Sequence, residues 1–196
     1  MKILIATGNE GKKKEMLEVF GKLKFVEWLF LKDFPKCNEP AEHGKTFEEN
    51  ALLKARFFGD RFGIPTIGED SGLILDAYPE KFGVKTRREI MAKTDVEWLR
   101  IFLEMLESQK NRKATFYSSM AHYDPQTKEN HIVLGKCVGQ ITEFPQAPLE
   151  KGIPVSAVFI PDGHDLVYSA MSKHEKNSVS HRGRAAHAIV EFLKKL

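Results

Sequence analysis

The sequence predicts an α/β protein, an elongated domain whose mixed β-sheet is flanked by helices. Three observations carry that expectation. Short apolar runs alternate with amphipathic helical stretches through the first half. The middle holds two long β-type runs joined by a polar turn. A capped helical stretch closes the chain. At 196 residues, the chain suits one domain spanning 1–196, or two lobes sharing a core.

The elements follow in order. MKILIA (1–6) is a short buried strand, and a helix runs from about Gly11 to Phe20. FVEWLFL (25–31) is a second strand. FPKCNEPAEHGK (34–45) is a loop, broken by two prolines and a glycine. Thr46 and Glu49 have capping-box spacing, and Phe47, Ala51, Ala55, Phe58 and Phe62 recur at helical intervals behind them. IPTIGEDSGLILDA (64–77) reads as two short strands interrupted by an acidic turn. TDVEWLRIFLEMLES (94–108) is an amphipathic helix capped by Thr94 or Asp95. KATFYSSMAHY, a DPQTKE turn and NHIVLGKCVGQITEF make a long hairpin, and VSAVFIP (155–161) is a further strand. Ser180 caps a last helix with Ala185, Ala188, Ile189, Phe192 and Leu196 on its apolar face.

Composition narrows the function classes. The chain is 42% hydrophobic and 29% charged, ordinary for a globular protein. Its 30 Lys and Arg against 27 Asp and Glu leave a net +3, too small a bias to indicate nucleic-acid binding. No apolar run reaches the roughly 18 residues of a membrane span, and the N-terminus turns polar too soon for a signal peptide. A cytoplasmic protein is therefore expected. Cys37 and Cys137 lack metal-ligand spacing, and no HExxH pair occurs among the seven histidines. Any metal would be a hard ion held by oxygen.

Three stretches could carry chemistry. In ATGNEGKKKE (6–15), Gly8 turns the chain tightly after a strand, and the next helix offers free N–H groups to an anion. Its spacing is not that of a Walker loop, and an ordinary strand–turn–helix is the plainer reading. In GEDSG (68–72), adjacent carboxylates Glu69 and Asp70 follow an apolar strand, where they could share a divalent cation or split base and metal roles. Asp-Ser-Gly is also plain turn chemistry. In KNSVSHRGRA (176–185), His181 and Arg182 stand in the first turn of a helix, where a positive charge opposes the dipole unless an anion is near. Together these are the parts of a site for a magnesium-bound polyphosphate.

Four blocks, ATGNEGKKKE, EHGKTFEENALLKA, GEDSGLILDA and EKNSVSHRGRA, resemble the inosine triphosphate pyrophosphatases in order and spacing. That family hydrolyses non-standard purine nucleoside triphosphates to a monophosphate and pyrophosphate. The resemblance implies a two-lobed α/β fold around a central cleft, a homodimer, Mg²⁺ as cofactor, and a nucleoside triphosphate as partner rather than nucleic acid or membrane. It puts the triphosphate on Thr7, Gly8, Asn9, Glu10, Gly11 and Lys12, with Lys54 as a further cation. Asp70 is similar to the catalytic base and metal ligand, and Ser71 beside it touches substrate. Glu42, or Glu39 by the alternative alignment of that loop, resembles the second metal carboxylate, with Glu69 in support. Lys176, His181 and Arg182 correspond to residues that contact base and sugar.

Two segments depart from the family pattern. Where the family has GFGYDP, this chain has GIPVSA, so Ile153, Val155 and Ser156 replace two aromatics and an aspartate. Losing a stacking ring worth about 1–3 kcal/mol would weaken purine binding about tenfold to a hundredfold. After GLILDA the family's glycine pair and tyrosines are lost, while Gly83, Val84 and Arg88 remain. The expected reaction is attack on the α-phosphorus by a water that Asp70 activates. Rival readings are a pyrophosphatase for modified pyrimidines, as in the Maf-type enzymes, and a nucleotide-binding protein without catalysis.

Overall fold

The computed structural model describes residues 1–196. Its elements are β1 (Lys2–Ala6), α1 (Glu10–Phe20), β2 (Glu27–Phe30), α2 (Phe47–Phe62), β3 (Thr66–Leu75), α3 (Asp95–Met105), β4 (Lys113–Tyr123), β5 (Asn130–Ile141), β6 (Phe159–Pro161), α4 (Lys173–Val179) and α5 (His181–Leu193). The strands form one mixed sheet in the order β2-β1-β3-β4-β5-β6. β1 pairs in parallel with β2 and β3, and the remaining neighbours are antiparallel. No helix is long and apolar enough to cross a membrane, and both cysteines are free thiols.

Three expectations are corrected. Residues 64–77 are not two strands around a turn: β3 runs unbroken, and Gly68 to Gly72 pair in register with Ala121 to Tyr117 of β4. The ladder to a long central strand outweighs local turn chemistry. VSAVFIP is mostly not a strand. Pro154–Ala157 is a 3-10 turn, and only Phe159–Pro161 pairs with β5; Pro154 has no N–H to give a ladder. Helix α4 was missed although Ser172 and Glu175 form a capping box ahead of it. Ser180 ends α4 and caps α5, as its position suggested, by accepting from the Gly183 N–H. The buried stripe of α5 is Ala185, Ala186, Ile189, Val190 and Leu193, so Ala188 and Leu196 face outward.

Two apolar cores flank the middle of β3. One contains Ile3, Ile5, Met16, Ile67, Met120 and Ile189. The other contains Leu73, Leu75, Trp98, Phe102, Phe159 and Tyr168. The acidic stretch of β3 lies between them, at the seam of two lobes. Close helix approach brings side chains to this seam from both sides. A Cβ on Gly68 would stand 2.1 Å from the Ala51 carbonyl oxygen, and one on Gly135 would stand 2.0 Å from that of His181. Without side chains at these points, α2 lies directly on β3, and α5 lies on β5.

Candidate active site

A cleft of about 440 Å³ opens at the seam. Its first wall is the β1–α1 turn, where Thr7, Gly8, Asn9 and Lys12 line the cleft while Glu10 and Gly11 do not. Glu10 is exposed and pairs with Lys13 at 2.8 Å. Gly11 instead packs under the Lys151 carbonyl. Asn9 is the N-cap of α1, its Oδ1 accepting from the Lys12 N–H at 3.1 Å. Its Nδ2 donates to the Gly152 carbonyl at 3.0 Å, so both ends of this amide already have partners within the chain.

The second wall is the acidic end of β3. Asp70 Oδ2 accepts from Asn50 Nδ2 at 3.1 Å, and Asn50 in turn accepts from the Gly44 N–H at 2.8 Å. The Lys54 ammonium lies 2.5 Å from Glu42 Oε1 and 3.5 Å from Asp70 Oδ1. It also donates to the Glu69 carbonyl. A cation therefore already bridges the two carboxylates that were expected to share one. Burial raises the Asp70 pKa above the ordinary aspartate value; Lys54 and Lys12 pull against that, while Glu69 and Glu42 reinforce it. For Lys54, burial acts downward but the charges of Asp70 and Glu42 outweigh it, and its pKa is raised. Glu39 also lines the cleft, beside Gly8.

From the cleft wall inward runs a chain of alternating charges. Lys176 pairs with Glu15 at 2.6 Å, Glu15 with Arg182, Arg182 with Glu69 at 3.1 Å, and Glu69 with Lys12 at 2.9 Å. Ser118 adds a hydroxyl to Glu69 at 3.0 Å. Burial pushes Glu69 and Glu15 upward, yet their cationic neighbours outweigh it and hold both carboxyls below the usual range. Glu69 lines the cleft, and both its oxygens have partners in Lys12, Arg182 and Ser118. The anions that offset Arg182 at a helix N-terminus are Glu15 and Glu69, not a ligand. Lys176 lies outside the cleft wall, holding Glu15 and Glu150. Ser71 lines the cleft and its Oγ accepts from Arg182 Nη2 at 2.9 Å.

The third wall is aromatic and apolar. His181 lines it, with its ring stacked on Phe116 at 4.6 Å between centroids. Burial and then the Arg182 charge push its pKa well below the usual histidine value. Trp98, Ile153, Val155 and Ser156 complete this end. The ring absent at Val155 is thus accompanied by Phe116 from β4 and Trp98 from α3. Sequence reading missed Glu15, Asn50, Phe116 and Trp98. A signal existed for Asn50, a polar residue on the apolar side of α2 one turn before Lys54. Phe116 alternates like any strand residue and gave none.

A sequence profile of the Ham1 family matches residues 3–192. A dITP/XTP pyrophosphatase of Aquifex aeolicus is 36% identical, across 99% of this chain and 97% of that protein. One of Bacillus anthracis is also 36% identical, across 96% and 94%. Among solved structures, a HAM1 protein from Coxiella burnetii superposes with a TM-score of 0.84 at 28% identity, covering 100% of both chains.

Proposed function

The chain belongs to the Ham1 family, and from that premise we propose that it is a nucleoside triphosphate pyrophosphohydrolase. It releases pyrophosphate and a monophosphate from non-standard purine nucleotides such as ITP, dITP and XTP. The relatives carrying the name dITP/XTP pyrophosphatase support this. The observation that carries it is the division of one cleft: the Lys12 and Lys54 ammonium groups among the carboxylates Glu39, Glu42, Glu69 and Asp70 at one end, a stacked Phe116–His181 pair at the other. The first end suits an anionic chain of phosphates, the second a flat base.

Mg²⁺ fits the oxygen donors Glu42 and Asp70, which already converge on a single cation, the Lys54 ammonium. No third His, Cys, Asp or Glu joins them, as suits an ion that keeps several waters and takes phosphate oxygens. When bound, it would neutralise phosphate charge and polarise the phosphoryl group. Asp70, held by Asn50, accepts a proton from water as that water attacks the α-phosphorus. The bond from the α-phosphorus to the bridging oxygen breaks, and pyrophosphate leaves with the electron pair. Lys12 and Lys54 meet the charge that develops on it. The chain acts on the cytoplasmic nucleotide pool as a homodimer; the family resemblance supports that assembly, and light scattering at twice the chain mass would establish it.

Pyrophosphate release from ITP, XTP and the four standard triphosphates, each with Mg²⁺, tests the proposal. Turnover of ITP and XTP well above the standard nucleotides is expected. Preference for modified pyrimidines, or nucleotide binding without turnover, would replace it.

A further inference from the structure

The base-side segment 150–156 lies between two paired elements yet joins no sheet ladder over Gly152 to Ser156. Its position against the phosphate side must come from side chains. Gly152 is held through both of its backbone polar groups. Asn9 Nδ2 donates to its carbonyl at 3.0 Å, and its N–H donates to Asp95 Oδ2 at 2.7 Å. Asn9 belongs to the lobe whose core includes Ile5 and Met16, and Asp95 opens α3, whose Trp98 and Leu99 lie in the other core. Gly152 therefore ties the lobes across the cleft mouth. Only glycine suits the position: its φ is +82, and a Cβ would stand 2.7 Å from Asn9 Oδ1.

Asp95 is arranged for this contact. Thr94, not Asp95, caps α3, which leaves the Asp95 carboxylate free to turn toward the segment. Its side chain is only 19% exposed, and its other oxygen lies 2.8 Å from the Arg87 guanidinium. Arg87 lines the same cleft. Asp95 itself is not in the cleft wall, so it acts through Gly152.

Resting on the function proposed above, we infer that Asp95 is a positioning residue for base recognition. Its carboxylate fixes the Gly152 peptide and, through it, the placement of Ile153, Val155 and Ser156 relative to the phosphate loop. Asn9 supplies the opposing tether on the next peptide group, so the distance between the base-reading and phosphate-reading halves is set at this residue.

The test compares calorimetric affinities of wild type, Asp95→Ala and Asp95→Asn for two probes that need no turnover, IMP and inorganic tripolyphosphate. Asp95→Ala weakens IMP about tenfold, the scale of one lost charge-assisted hydrogen bond. Tripolyphosphate, lacking a base, keeps its affinity within about twofold. Asp95→Asn retains an acceptor for the Gly152 N–H and restores most IMP affinity. Amide exchange at Gly152 accelerates in Asp95→Ala and stays slow in Asp95→Asn. Equal weakening of both probes, or unchanged IMP affinity in Asp95→Ala, overturns the inference while leaving the function intact. Wild type that binds neither IMP nor any triphosphate overturns the function, and this inference with it.

Discussion

At Asp70, burial opposes the attraction of Lys54 and Lys12, and burial wins, leaving the carboxyl easier to protonate than an ordinary aspartate. A base must be ionised to accept a proton, so the rate falls as pH drops through its pKa. In the metal-free protein the Asp70 carboxyl is expected to titrate above about 3.9, the unperturbed aspartate value, as read by pH-dependent NMR. Asp70→Asn should lower kcat by about 10²–10⁴-fold with the fold intact, read by steady-state kinetics and circular dichroism. Arg182 has the opposite character, since it holds two buried carboxylates rather than doing chemistry. Arg182→Met should cost about 3–5 kcal/mol in urea unfolding at pH 7. Glu15 and Glu69 have lowered pKa values in the native protein, so their paired stability is present above the unfolded glutamate value and is lost as pH falls through the native ones. In the variant they lose one cation and protonate more readily, so the stability gap to wild type should narrow as pH falls through the range where those two carboxyls take up protons.

At the scale of elements, two glycines set helix height on the sheet. Gly68→Ala would place a methyl against the Ala51 carbonyl and lift α2, together with Asn50 and Lys54, away from Asp70. A loss of about 1–3 kcal/mol is expected on thermal or urea unfolding, with kcat reduced alongside it. A variant as stable and as active as wild type would contradict the close packing. These approaches were not legible in the sequence, because a glycine in a strand looks the same whether a helix or solvent lies over it. The hairpin of β4 and β5 was legible, since long β-type runs flank a polar turn. The unbroken course of β3 through Gly68–Gly72 was not. Its local chemistry favours a turn, and only the partner strand holds it extended.

Across the whole molecule, the N-terminal turn, the middle of β3 and the start of α5 meet at one seam between two cores. The four sequence blocks located most of the cleft: Thr7, Gly8, Asn9, Lys12, Glu42, Lys54, Glu69, Asp70, Ser71, His181 and Arg182 all line it. What they could not reveal is which charges neutralise one another. Charge is visible in a sequence and pairing is not: in the fold Glu69 is paired with Lys12 and Arg182, and Lys176 with Glu15 and Glu150. In the proposed reaction Asp70 directs water at the α-phosphorus while Lys12 and Lys54 hold the departing phosphates. Turnover of ITP in ¹⁸O-water with Mg²⁺, followed by mass spectrometry of both products, tests it most directly. The heavy oxygen is expected in the monophosphate and none in pyrophosphate; label in pyrophosphate, or release of orthophosphate, would rule out attack at the α-phosphorus.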